Sequence, residues 1–256
     1  MAKGPYVEHR YESWQDFLND NYYFADQMDF VFRGHGCSSW KLETTLDRLI
    51  HRLKPNVDLD STYDFVLKEF VKSLRGRSSV AKDVQTNSEE LWALGQHYGL
   101  ATPLLDWAHS IYVALFFAFE DHTPSSTGYR TIWALSSSRW VVDAMASHNA
   151  KKNEKHWFNF LEPLSDNNPR LITQTGLFTN QPIQFDIVSW AKENLPNDAP
   201  YLIKIDVPDS ERLKILRHLR LMNIHPATLF PETDGAAKYC NQTLELLSDK
   251  SRGPRQ

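Results

Sequence analysis

Gln96-His-Tyr-Gly-Leu-Ala-Thr-Pro-Leu-Leu-Asp-Trp-Ala-His-Ser-Ile-Tyr-Val-Ala-Leu-Phe-Phe-Ala-Phe119 is the stretch on which the fold turns. Its second half, from Ile111 to Phe119, carries no charged residue and is closed by Glu120 and Asp121. Such a segment is about half the roughly 20 residues that a membrane span needs, so it reads as a helix buried in a protein core. In the first half, Pro103 lacks an N–H and disfavours helical geometry at Thr102, which predicts a loop or edge extension over residues 100–107. That loop ends on Asp106, placed to cap the buried helix or to face a ligand. Upstream, Asn87-Ser-Glu-Glu90 is a capping box opening a helix through Leu91, Trp92 and Leu94, with Gly99 suited to its C-terminal cap.

Strand signals lie on both sides of this centre. Met28-Asp-Phe-Val-Phe32 reads as a short strand stopping at Arg33-Gly34-His35-Gly36, which would put Arg33 at a strand end beside a loop. Thr131–Leu135 and the alternating Tyr201–Val207 read as two more strands, and Ala227–Phe230 as a last short one. Ser13 caps a predicted helix with Trp14, Phe17 and Leu18 on one stripe; residues 61–74 and 211–222, the latter capped by Ser210, carry helical periods too. A final helix runs through Tyr239 and Leu244. Residues 145–185 read as irregular. The fold class expected is α+β in a single domain, a mixed short-strand core with surrounding helices.

Composition narrows the function classes. With 256 residues, 41% of them hydrophobic, the chain can bury a sizeable core. The 28 Lys+Arg against 32 Asp+Glu leave a net charge of −4, so no whole-protein field draws it to nucleic acid or anionic lipid. Its two cysteines, Cys37 and Cys240, make no disulfide framework, and the start shows no basic-then-apolar signal pattern, which leads to a cytoplasmic expectation. The sequence has no phosphate loop GxxxxGK[ST], GxGxxG, HExxH or GxSxG, and its ten histidines lack metal-ligand spacing; no metal site is expected. Cys37 after Gly36 is either a small buried thiol or a nucleophile.

Three segments carry polar residues that local structure does not demand. Val31-Phe-Arg-Gly-His35 offers the planar fork of Arg33 to a phosphate or carboxylate, or else a salt bridge pinning the strand. Leu94–Trp107 brings together Gln96, His97, Tyr98, Thr102, Asp106 and Trp107, either as caps with a core histidine or as an acid/base group, an aromatic platform and a fixed carboxylate. Ile224–Gly235 places Glu232 and Asp234 on a turn, with N-capping of the last helix as their plainer role.

Taken in order, these motifs resemble a known family. Phe32-Arg33-Gly34, Trp40, Leu42 and Arg48, then Gln96–Trp107 running into Ala114–Ala118, then Arg170-Leu-Ile-Thr-Gln-Thr-Gly-Leu-Phe178 and Leu229–Gly235 are similar to the FRG domain, named for its Phe-Arg-Gly signature. The resemblance places an N-terminal helical extension at 1–29, the FRG domain at 30–245 and a polar tail at 246–256. The opening strand also resembles the first core strand of ADP-ribosyltransferases, many of which hold NAD with the arginine of an aromatic-Arg-Gly.

That likeness implies an ADP-ribosyltransferase-like core that takes NAD as substrate. It puts Arg33, Gly34, Thr102, Asp106, Trp107 and Gln174 around NAD, and Glu232, His97 and Tyr98 in catalysis. Glu232 would match the superfamily's late carboxylate, with Asp106 as the second choice, although Glu232-Thr-Asp234 stands where a Glu-x-Glu is usual. Implied partners are a nucleic-acid acceptor, DNA favoured, in a toxin or phage-defence setting, and an antitoxin or hydrolase; no membrane is implied. Basic residues of 210–222 and of Lys72–Arg77 would line an acceptor groove or form a solvated face. The alternatives are a non-catalytic nucleotide or nucleic-acid module and an NAD glycohydrolase.

Overall fold

The computed structural model describes residues 4–20, 29–53, 59–76, 87–152, 157–162 and 176–248. Strands β1 (Tyr6–Arg10) and β2 (Phe30–His35) flank helix α1 (Trp14–Asp20). Helices α2 (Thr45–Leu53), α3 (Leu59–Leu74) and α4 (Ser88–His97) precede β3 (Leu104–Ala108), α5 (Ile111–Phe119) and β4 (Tyr129–Ser136). Then come α6 (Arg139–Lys152), β5 (Asn159–Leu161), β6 (Gly176–Asn180), α7 (Ile187–Asn194) and β7 (Leu202–Pro208). A short 3-10 turn leads into α8 (Arg212–Leu221), α9 (Pro226–Leu229) and α10 (Thr233–Ser248).

The strands form one mixed sheet in the order β1-β7-β4-β2-β3-β6-β5, with β1 parallel to β7 and every other neighbour antiparallel. Apolar residues alternate across it, as the period of a strand requires. Phe30, Phe32, Ile132, Ala134, Ile203 and Ile205 face one layer with α1, α5 and α8. Val31, Leu105, Trp107, Trp133, Leu135 and Leu202 face the other, against α6 and α7.

Helix α5 is the element around which the first layer packs. Leu115, Phe116, Ala118 and Phe119 have no exposed surface, and burying each large side chain contributes about 2 kcal/mol. Ser110 caps its N-terminus by accepting from Val113 N. At the other end, buried Arg130 donates to the Ala118 and Thr123 carbonyls, both at 2.7 Å, and pairs with Asp209. A cation there satisfies carbonyls that the helix leaves open. Gly34 lets α5 lie directly on β2, because a Cβ at that position would sit 2.0 Å from the Ala114 carbonyl oxygen.

Several sequence expectations are corrected. Residues 104–108 are a strand between β2 and β6 rather than a loop: Pro103 stands just outside it, where it withholds no ladder donor. Strand β2 continues through Arg33 and Gly34 to His35, all paired with β4, so Arg33 lies inside a strand. Residues 226–229 are a helical turn, since Pro226 pre-sets the first helical φ and Thr228 Oγ1 accepts from His225 N at 3.2 Å. Asp209–Glu211 forms a 3-10 turn before α8, and Ser210 does not cap it. The 145–185 stretch contains most of α6 and all of β5 and β6. The N-terminal residues expected as a helical extension also supply β1, and Trp14 and Phe17 are buried in the core.

Candidate active site

Strands β2 and β3 share one ladder pair, Phe32 with Ala108. Beyond it the two strands part, and a cleft of about 400 Å³ opens there, a size within the range of small-molecule sites. Arg33 and Gly34 line it from β2, Asp106 and Ala108 from β3, and Gln96 and His97 from the end of α4. Phe117 and Glu120 of the α5 region and Phe178 and Phe230 are among its other walls.

Arg33 spans the gap. Its Nη1 donates to the Asp106 backbone carbonyl at 2.9 Å and to Asp106 Oδ2 at 3.3 Å. The first bond satisfies an acceptor of β3 across the parted strands. Arg33 Nε lies 3.1 Å from His35 Nε2, while its Nη2 makes no hydrogen bond to any described residue. Burial lowers the Arg33 pKa from its ordinary value, the Asp106 carboxylate opposes this, and the guanidinium stays charged. Because the Asp106 side chain is 61% exposed, the pair contributes less than about 1 kcal/mol to stability.

Asp106 is held from its other side. Gln96 Nε2 donates to Asp106 Oδ1 at 2.8 Å, and Thr102 Oγ1 donates to Gln96 Oε1, which fixes which way the amide points. The outcome is a carboxylate with both oxygens oriented, solvent access and a cation beside it. Behind Arg33, buried His35 is driven down to a pKa of about 3 by burial and by the Arg33 charge, with a hydrogen bond to the Trp40 backbone pulling the other way. It is therefore neutral, and with one lone pair it accepts from only one of Arg33 Nε and Trp133 Nε1 at a time.

Of the residues expected at the site, Arg33, Gly34, His97 and Asp106 line the cleft. Trp107 belongs to its wall, but its ring is in the opposite layer with Nε1 donating to Thr179 Oγ1, so it offers no face to a ligand. Thr102 is wholly buried and acts on the cleft only through Gln96. Tyr98 is exposed, with its ring against His97, and does not line the cleft. Glu232, just before α10, is exposed and also outside the lining. Gln174 falls outside the described residues.

The carboxylate that sequence reasoning missed is Glu120. Its pKa is raised from the ordinary value by desolvation, with Lys238 acting in the opposite direction, although the residue as a whole is exposed. It served in the sequence only as the polar end of an apolar helix; that α5 delivers it to the Arg33 cleft depends on how the helix crosses β2.

The other features weighed from sequence lie elsewhere. The thiol of Cys37 is buried; burial pushes it up, but hydrogen bonds from Ser125, Ser126 and Ser39 bring its pKa down to about 5. It does not line this cleft. Basic residues of α8 are turned to α10: Arg212 pairs with Glu245, Arg217 donates to the Leu246 carbonyl, and Arg220 binds Thr243 and Tyr239. Lys214 pairs with Glu211 and Lys72 with Glu69. No group of His, Cys, Asp and Glu among the described residues could hold a metal, and no helix there is long and apolar enough to cross a membrane.

Residues 28–127 match the family model of the FRG domain, which supports the family resemblance over that span. The matched segment holds Phe32-Arg33-Gly34 and the whole of Gln96–Phe119. No curated protein and no solved structure matches the chain.

Proposed function

We propose that the chain binds NAD in the cleft between β2 and β3 and transfers its ADP-ribose to an acceptor. The observation that supports this most is the pairing, in a cleft of ligand size, of a guanidinium whose Nη2 has no hydrogen bond to a described residue with an oriented, solvent-accessible carboxylate. A guanidinium suits a diphosphate, and a fixed carboxylate suits a ribose from which charge is departing.

In the reaction, the bond between ribose C1′ and the nicotinamide nitrogen breaks with its electron pair going to nitrogen, which neutralises the pyridinium. Positive charge is left on the ribose. Asp106 accepts a hydrogen bond from a ribose hydroxyl and stabilises that charge, the logic glycosidases also use. Asp106 takes this role in preference to Glu232 because it lines the cleft. Phe117, Phe178 and Phe230 give the nicotinamide ring apolar cover. Glu120, with its raised pKa, is suited to take the proton from the acceptor as it attacks C1′.

The test uses NAD labelled in its adenylate half, incubated with the protein and separate pools of DNA, RNA and protein. Label appearing in one pool with equimolar nicotinamide release is expected, DNA being the acceptor proposed. Asp106→Asn should slow release by about 100-fold. Arg33→Lys should weaken NAD binding while the melting transition persists. Free ADP-ribose as the sole product would make the chain a glycohydrolase, and NAD binding without turnover would make it a binding module; either overturns the transferase.

A further inference from the structure

A second cleft of about 500 Å³ adjoins the first, and the two share Arg33 and Gly34 as lining. Its other walls include Trp40, Lys41, Glu43 and Arg48. Trp40 is 57% exposed although it is a large aromatic, and it meets the His35 ring in a T-shaped contact at a centroid distance of 6.1 Å. Neither Lys41 nor Arg48 has a carboxylate within salt-bridge distance among the described residues; Arg48 Nη1 donates to the Glu43 carbonyl at 2.8 Å. The one carboxylate in the wall, Glu43, is engaged by His51. Three cations beside a largely exposed indole make a site for a flat ring carrying a phosphate.

We infer that this second cleft is a nucleotide subsite, and that its occupant is the adenylate half of the dinucleotide held in the first. Trp40 stacks the base, and Lys41 and Arg48 meet the phosphate on that side. The shared Arg33 lines both clefts and so stands where the two halves join and the diphosphate would pass. A single ligand with two nucleoside halves explains why the clefts meet at one guanidinium. The inference rests on the proposed NAD reading for the identity of the occupant, while the subsite itself is tested without NAD.

The probes are AMP, ADP-ribose and nicotinamide mononucleotide, titrated calorimetrically into the wild-type chain and into Trp40→Ala and Trp40→Phe. Trp40→Ala is expected to weaken AMP and ADP-ribose by about tenfold, the scale of one lost base–aromatic stack, and to leave nicotinamide mononucleotide unchanged. Trp40→Phe should recover most of the loss, and both variants should melt as the wild type does. AMP binding that depends on Trp40 in a chain that neither binds nor turns over NAD would keep the subsite and overturn the NAD reading. NAD turnover with AMP and ADP-ribose indifferent to Trp40 would overturn the subsite. A single-stranded oligonucleotide that displaces AMP, in a chain that binds NAD no better than nicotinamide mononucleotide, would give the cleft to an acceptor strand and overturn the assignment to the adenylate half.

Discussion

Glu120 lines the cleft that Arg33 spans, His35 lies against that guanidinium, and the two titrate away from their ordinary values in opposite senses. For Glu120 the pKa is raised, so its carboxyl stays protonated to higher pH than a solvated glutamate; as a base it becomes competent only as pH passes that raised value. The rate of ADP-ribose transfer is expected to show an acid limb above the usual carboxylate range, and Glu120→Gln to lower the plateau by at least about tenfold and erase the limb. For His35 the folded pKa of about 3 lies below the unfolded value near 6.5, so between these the unfolded chain binds more protons. Stability therefore falls as pH drops from about 6.5 toward 3, by at most about 1.4 kcal/mol per pH unit from this group. Chemical denaturation at stepped pH should show this slope, and His35→Asn should flatten it. Arg33 and Asp106 were legible in the sequence because each is a charge set at the end of an apolar run, although a cap was as open to Asp106 as a ligand until Ser110 took the cap of α5. Their contact was not, since Arg33 and Asp106 meet only where two strands part, a feature of sheet geometry without a local signal.

Elements behave as their periods dictate, and the exceptions have causes. The apolar run 111–119 is a buried helix as its composition requires, and the residues flanking it set where it lies. Gly34→Ala would drive a methyl into the Ala114 carbonyl, so α5 must shift off β2. A loss of about 3 kcal/mol is expected from overpacking, read as a lowered denaturation midpoint, together with loss of NAD binding because both cleft walls move. The helix α8 was read as amphipathic with a free basic face, yet its arginines are spent on α10. Sequence periodicity gives a face its polarity and leaves open what comes to cover it. Arg212→Ala is expected to lower the denaturation midpoint, because it removes the donors to the Glu120 and Asp121 carbonyls and leaves Glu245 without its partner, and to slow transfer because it loosens the end of α5 that carries Glu120. Strand β3 was missed because Pro103 argued for a loop; proline at the residue before a strand costs the ladder nothing.

At the scale of the whole molecule, the sheet is continuous in hydrogen bonding except where β2 and β3 hold by a single pair, and the candidate site occupies that break. The net charge of −4 excludes capture of an anion by bulk charge, but cations concentrated at Arg33, Lys41 and Arg48 provide a local field along the two clefts. The order of motifs was readable along the chain, while the convergence of residues 33, 96, 106 and 120 was not, because it is made by the antiparallel strand order and the crossing of α5. The most direct measurement is a crystal structure of the Glu120→Gln variant with NAD bound. The expected result is the nicotinamide ribose within hydrogen-bond distance of Asp106, with the diphosphate at Arg33. Density for NAD against Glu232, with the cleft between β2 and β3 holding solvent alone, would contradict it.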